Sequence, residues 1–566
     1  MSFKNVSIRC AAVAAFFLFF AANSSPAAQF YNDWATNHFS DLPAQSGWTN
    51  DPDGDGEINL IEFAFGTDPR VGDGMGGAVL PRFGSVSGTN GTFTVEILER
   101  AGHQPGVQLD LYLSKNLTDW FRPWWLRTVT NSLPADPVGS VRESFTTRIA
   151  GTNIWYVRPK VTLLTTGPEL ARFYVATNGT DSNPGTLTQP YHSVFKATSQ
   201  ANPGDLIYIR GGTFPTNQLL QLTRNGSPNS MIRLCAYPGE HPILDFSGEA
   251  VNSNNRGINL KANWWYLYGL EIANAGDNGV NVSGSSNILE LCVIHNCQDT
   301  GLQISSSSGT TPSSNLVLNC DSYRNFDIPT HGENADGFAP KLAGLGPNNV
   351  FRGCRTWENG DDGWDTFAAP NVVLFDSCWS FRNGSNFVND PSYAGDGNGF
   401  KLGGIDSTLG MIPSPHRVIN CLTFGNPHHG FDQNNNAAGL HLDNDTAWHN
   451  GFRSGNNFDL NHGSVTQGVH VVRNSLSIDG TTSFIAGSVQ ISNSWQMVTS
   501  PAASTNDLLS IDSSWANGAR RDDGGLPETP FMRPIPAGRL VDCGTNIGNA
   551  FFGPAPDLGA FETPQW

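Results

Sequence analysis

The chain has 566 residues, and 50 Asp+Glu against 32 Lys+Arg leave it at a formal −18, which argues against nucleic acid or an anionic membrane as partner. An acidic ligand would need a bridging cation. Only 14% of residues are charged, under the ~25% usual for globular domains, while 62 Gly and 35 Pro punctuate a chain that is still 38% hydrophobic, so turn-rich β structure is expected and disorder is not.

At the N-terminus, Lys4 and Arg9 precede an apolar run from Ala11 to Ala22, and Ser24, Ser25, Ala27 and Ala28 follow. That order of charge, apolar core and small residues predicts a secretory signal over residues 1–28 and an extracellular or periplasmic protein. The run is short for a bilayer span, and no later stretch approaches ~20 apolar residues, so no membrane association is expected. Cys10 leaves with the signal.

Residues 29–70 hold Asp51, Asp53, Asp55, Glu57, Asn59 and Glu62 at positions 1, 3, 5, 7, 9 and 12 of a loop, with Gly56 at position 6. This is the EF-hand ligand schedule, in which alternate oxygens wrap Ca²⁺ and a glycine permits the sharp turn. The region resembles the calcium loops of dockerin-like and thrombospondin type 3-like linkers, and a single loop reads as a structural clip. Residues 75–166 carry strand-like runs such as Thr92–Ile97 and Trp155–Val157 between Gly, Asn and Pro turns, predicting a small β-sandwich. Trp120, Trp124 and Trp125 are read there as core.

From residue 171 to 566 short apolar runs recur without a helical period. Leu291-Cys292, Asn319-Cys320, Gly353-Cys354, Ser377-Cys378 and Asn420-Cys421 align, with Asn444-Asp445 as a sixth member carrying Asp445 in the cysteine position. Residues with a following Gly and apolar residue form a second marker: Thr300, Asp336, Asp362, Asn398 and His429. The base period is about 24 residues, the spacing of Cys354 and Cys378, and longer steps imply loop insertions. A unit that short cannot bury its apolar face alone, which predicts the coils of a right-handed parallel β-helix, about 4.8 Å apart. The cysteine column reads as a buried ladder, and no disulfide is assigned.

In this register Asp336 and Asp362 share one column, and Asp361 and Asp365 flank the latter. Four hard oxygen donors within two rungs need compensating charge and favour Ca²⁺. Three residues after the marker come Asp365, Lys401 and Asp432 on successive coils, so Lys401 stands one rung from the ion and is read as a general base.

The motifs Asn334-Ala335-Asp336-Gly337-Phe338-Ala339, Asp361-Asp362-Gly363-Trp364-Asp365, Gly397-Asn398-Gly399-Phe400-Lys401 and Gly430-Phe431-Asp432 resemble polysaccharide lyase family nine, the calcium-dependent pectate lyases. The likeness runs from Phe173 to about Leu460. It implies that Asp336, Asp361, Asp362 and Asp365 bind a catalytic Ca²⁺ and that Lys401 is the Brønsted base, with Lys341 ranked second because it lies outside the Asp365 column. The expected activity is calcium-dependent β-elimination on polygalacturonate or a related acidic polysaccharide, by a monomer. The sequence leaves two alternatives: a β-helix glycoside hydrolase using two of the aspartates, and a non-catalytic calcium-stabilised binding module or adhesin.

Overall fold

The computed structural model describes residues 171–563, apart from positions 308, 405–413, 463–466, 498–501, 522–523, 550 and 552, together with the backbone of five strands between Thr92 and Leu163. The secretory signal, the loop from Asp51 to Glu62, and Trp120, Trp124 and Trp125 lie outside the described residues. The five strands are Thr92–Arg100, Val107–Ser114, Leu126–Thr130, Ser140–Arg148 and Tyr156–Leu163. The first, third and fourth form one antiparallel sheet, and the second and fifth pair in another.

The rest is a stack of coils bearing three parallel sheets of 12, 10 and 10 strands, visited in fixed order. One coil shows the plan: Asn349–Arg352 in sheet 1, Arg355–Trp357 in sheet 2 and Trp364–Asp365 in sheet 3. Between sheets 1 and 2 the chain turns through one left-handed residue, with φ of 54° at Leu291, 53° at Asn319, 63° at Gly353, 55° at Ser377 and Asn420, and 56° at Asn444. Each such turn points the next residue inward. Cys292, Cys320, Cys354, Cys378 and Cys421 are all buried free thiols, and Cys320 and Cys354 each donate to a carbonyl of the preceding coil at 3.4 Å. Asp445 takes the next place in that column, where its carboxylate accepts the Cys421 N–H at 2.8 Å and burial pushes its pKa well up.

A second internal column is made of asparagines at the turn from sheet 2 to sheet 3. Asn325, Asn359, Asn383, Asn426, Asn450 and Asn457 pass side-chain amide bonds from one to the next at 2.8 to 3.3 Å. Buried donors and acceptors thereby satisfy each other along the axis instead of opening the turn to water. Inside sheet 3, Phe338, Trp364, Phe400, Phe431 and Phe458 stack with ring centroids 4.6 to 5.2 Å apart. All but Phe458 follow a marker glycine, and at three of these a Cβ would collide with a hydroxyl of sheet 2: Thr356 for Gly337, Ser380 for Gly363, Thr423 for Gly399.

The last strand ends at Ile491, short of the β-helix expected through residue 566. The remaining described residues cover sheet 2, where Leu508, Phe531, Met532, Leu540 and Leu558 join Trp379, Phe381 and Phe424 in a second apolar core. Arg520 reaches from this segment to the buried Asp321 at 2.6 Å, and Arg355 closes on the same carboxylate at 2.7 Å. Among the described residues no helix is long and apolar enough to cross a membrane.

Candidate active site

Strand alternation decides which side chains leave the core of sheet 3. With the ring after each marker glycine turned inward, the following residue faces out. Asp365 pairs in register with Lys401, Lys401 with Asp432, and Asp432 with Asp459, giving one outward polar row. A parallel row lies at the corner, fixed by Gly301 N–H to Asp336 O at 2.9 Å, Gly337 to Asp362 O at 3.0 Å, Gly363 to Asn398 O at 2.9 Å and Gly399 to His429 O at 2.8 Å. The two rows meet around the predicted site.

One carboxylate oxygen from each of Asp336, Asp361 and Asp362 lies within 4.8 Å of the others, and all three residues are buried. Asp362 Oδ1 accepts both the backbone and side-chain N–H of Asn398, at 2.7 and 2.9 Å, and Asp361 Oδ1 accepts the Asp396 N–H at 2.7 Å. Each of these two carboxylates is thus anchored by one oxygen. Asp336 Oδ1 makes no hydrogen bond, and Asp362 Oδ2 has only an ion pair with Lys401 Nζ, at 3.1 Å. Asp365 is adjacent but differently held: Oδ1 accepts the Phe367 N–H at 2.9 Å, and Oδ2 meets Lys341 Nζ at 3.2 Å.

Two lysines enter this cluster. Lys341 bridges Asp336 Oδ2 at 2.9 Å and Asp365, with 13% of its side chain exposed, while Lys401 also approaches Asp396 Oδ2 at 3.6 Å. Burial raises the Asp336 carboxyl to about 8, against the pull of Lys341 and with the help of Asp365 and Asp362; Asp361 and Asp362 are raised too, again chiefly by burial. Burial would lower both lysines, yet the surrounding carboxylates raise them above the ordinary lysine range. Acids and bases shift together toward holding protons, the signature of a pocket short of positive charge. Four carboxylates face two ammoniums, and one divalent cation would close the difference. Buried, hydrogen-bond-free oxygens at Asp336 and Asp362 suit a hard cation such as Ca²⁺.

Sequence reasoning placed Asp336, Asp361, Asp362, Asp365 and Lys401 together, and the structure gathers all five. It missed Asn398 as the clamp on Asp362, although Asn398 stands in the same marker column. It also ranked Lys341 by column alone, whereas Lys341 lies two residues beyond Ala339, on the same outward face, and reaches over to Asp365.

Long corner insertions rise beside the cluster. Segment 327–335, with the preceding Phe326, packs on segment 384–397 through Phe326 with Phe387 and Tyr393, at 5.7 and 6.2 Å, and through Ala394 N–H to His331 O at 3.0 Å. They wall one flank of the outward row.

A parallel β-helix carrying lysines among buried aspartates is compatible with a polysaccharide lyase, and the comparisons establish that class. Residues 173–479 match the family described as "Pel9A-like, right handed beta helix region". Pectate lyase L of Dickeya dadantii is 38% identical over 410 residues, covering 70% of this chain and 92% of that protein. The crystal structure of pectate lyase Pel9A superposes with a TM-score of 0.64 at 37% identity, covering 69% of this chain and 96% of its own. A rhamnogalacturonan lyase structure follows with a TM-score of 0.57 at 26% identity, covering 64% and 96%. The chain belongs to the Pel9A-like right-handed β-helix family.

Proposed function

We propose that this chain is a secreted pectate lyase that cleaves α-1,4-linked polygalacturonate by calcium-dependent β-elimination, with Lys401 as base. The observation that carries the reading is the register of Asp365 with Lys401, which sets the Lys401 amine on the outward row beside the three carboxylates clustered at the corner. Asp336, Asp361, Asp362 and Asp365 would hold Ca²⁺, which supplies a positive centre for the uronate C6 carboxylate and for the charge that develops as the C5–H bond breaks.

The chain's own groups do the rest. Lys401, in its neutral form, accepts the C5 proton; the C5–H electrons become the C4=C5 double bond and the C4–O electrons leave on the oxygen, which takes up a proton as a hydroxyl, so a 4,5-unsaturated sugar forms without net consumption of water. Asn398 fixes the rotamer of Asp362 through two hydrogen bonds, so the carboxylate beside Lys401 is set before substrate arrives. Lys341 offsets charge on Asp336 and Asp365, whereas Lys401 makes its ion pair with Asp362. The basic, apolar and small-residue order at the N-terminus supports export to where pectic polymers occur.

The test is an assay of the purified full chain on polygalacturonate, with rhamnogalacturonan alongside, following the ultraviolet absorbance of the conjugated enoate. Absorbance that grows with Ca²⁺ and stops on chelation is expected. New reducing ends without absorbance would establish a hydrolase instead.

A further inference from the structure

The pairing of a corner residue with an outward strand residue recurs two coils beyond the aspartate cluster. Asp362-Gly363-Trp364-Asp365 has its counterpart in His429-Gly430-Phe431-Asp432. His429 continues the corner row through Asp362 and Asn398, and Asp432 is the register partner of Lys401 on the side away from Asp365. What lies on one side of the Lys401 rung is therefore repeated on the other, with an imidazole exchanged for a carboxylate. His462, just after the next strand Phe458–Leu460, adds a second imidazole. One donor atom from each of His429, Asp432 and His462 lies within 4.8 Å of the other two.

The surroundings are built for such a set. Asp459 Oδ2 lies 3.3 Å from His429 Nδ1 and 3.4 Å from His462 Nε2, the outer carboxylate that orients metal-binding imidazoles. The Asn456 N–H also donates to His429 Nδ1, at 3.1 Å, so the ring is held in place from that nitrogen. Asp432 Oδ1 accepts the Asn434 N–H at 2.9 Å, leaving Oδ2.

We propose that His429, Asp432 and His462 form a second divalent-cation site, one rung past the base. Two imidazoles with one carboxylate suit a borderline ion such as Zn²⁺ better than Ca²⁺, and three protein ligands leave positions open. On the lyase reading above, on which this further step rests, the open positions take the carboxylate of a second uronate, so that cations flank Lys401 along the polymer.

The experiment uses full-length protein, stripped by chelator and resaturated with Ca²⁺, then titrated with Zn²⁺ in a calorimeter. One equivalent should bind the wild type, and His462→Ala and Asp432→Asn should each weaken it tenfold or more while circular dichroism is unchanged. His462 is half exposed, so its variant tests the site without emptying the core. Equal Zn²⁺ affinity in both variants, or no Zn²⁺ bound by the wild type, would overturn the site. Zn²⁺ should also lower KM for polygalacturonate in the wild type and leave His462→Ala unmoved; an unchanged wild-type KM would overturn the uronate role. Turnover with Ca²⁺ alone is read separately, so failure of the lyase reading is distinguishable.

Discussion

Asp365 and Lys401 are partners in adjacent parallel strands, yet they do not pair: Asp365 gives its free oxygen to Lys341, and Lys401 turns to Asp362. The two lysines therefore have different duties although they share a pocket. One lies between two carboxylates, and the other stands with Asp362 on the exposed side toward Asp396.

Lys401→Ala should cut kcat on polygalacturonate by ~10²- to 10⁴-fold or more, as loss of a general base does, with the far-ultraviolet spectrum and Ca²⁺ affinity retained. Stopped-turnover assays and calcium titration check it. Near-normal turnover in this variant, with Lys341→Ala inactive, would reverse the roles.

Lys341→Gln should act on the calcium-free protein first. Removing one partner of a largely buried pair typically costs roughly 3–5 kcal/mol, so the urea midpoint in chelator should fall. Asp336 and Asp365 lose their ammonium, and Ca²⁺ should then restore more stability than it gives the wild type. Equal calcium-induced stabilisation in the two proteins would refute the counter-ion role.

Asn359→Ala breaks the asparagine column at its middle. Asn359 donates to Asn383 Oδ1 at 2.9 Å and Thr356 Oγ1 at 2.7 Å, and accepts from Asn325 Nδ2 at 2.8 Å. With buried partners left unsatisfied, a loss of about 2–4 kcal/mol is expected in chemical denaturation. A loss under about 0.5 kcal/mol, the range of a surface change, would mean the column carries little.

The pH dependence has two separable parts. Burial would lower the Lys401 pKa, but Asp362, Asp365, Asp361 and Asp336 raise it, so the ammonium persists and the free amine gains only as pH rises. The kcat profile should climb through roughly pH 8 to 10, given the reference lysine value of ~10.4. A maximum near pH ~5, where carboxylates titrate, would contradict a lysine base.

Stability on the acid side follows His416, which burial holds neutral with its pKa pushed down to about 3 while Nδ1 accepts the Val373 N–H at 3.1 Å. A folded pKa below the unfolded value of ~6.5 means the stabilisation is full above pH ~6.5 and drains as pH falls toward 3. Between pH 6.5 and 4.5 the wild type should lose about 2–3 kcal/mol more than His416→Gln. Matching pH slopes in the two proteins would remove His416 from the account.

Much of this was legible in the chain because a coil repeats its chemistry. The cysteine step and the glycine marker gave the columns, and the columns gave the aspartates and Lys401. The asparagine ladder was equally present, five residues after each of Cys320, Cys354, Cys378 and Cys421 and after Asp445. It is hard to single out because asparagine is frequent throughout this chain. Lys341 was underrated because a column records which rung a residue is on, while its four-carbon stem spans to the next. The cover over sheet 2 had no periodic signal to read, since its described residues form no regular strands and find their place through contacts such as Arg520 with Asp321, 199 residues apart.

The corner insertions, finally, bear on how such an enzyme changes over generations. Segments 327–335 and 384–397 lengthen their coils without disturbing the strand pairs on either side, so a lineage can reshape the wall of the groove by trimming or extending corners, one loop at a time. Removing the coil that carries Lys401 is another matter. Strands Trp364–Asp365 and Phe431–Asp432 would then become neighbours, the fold would close over the gap, and heredity would retain a sound cylinder without the amine at its working face.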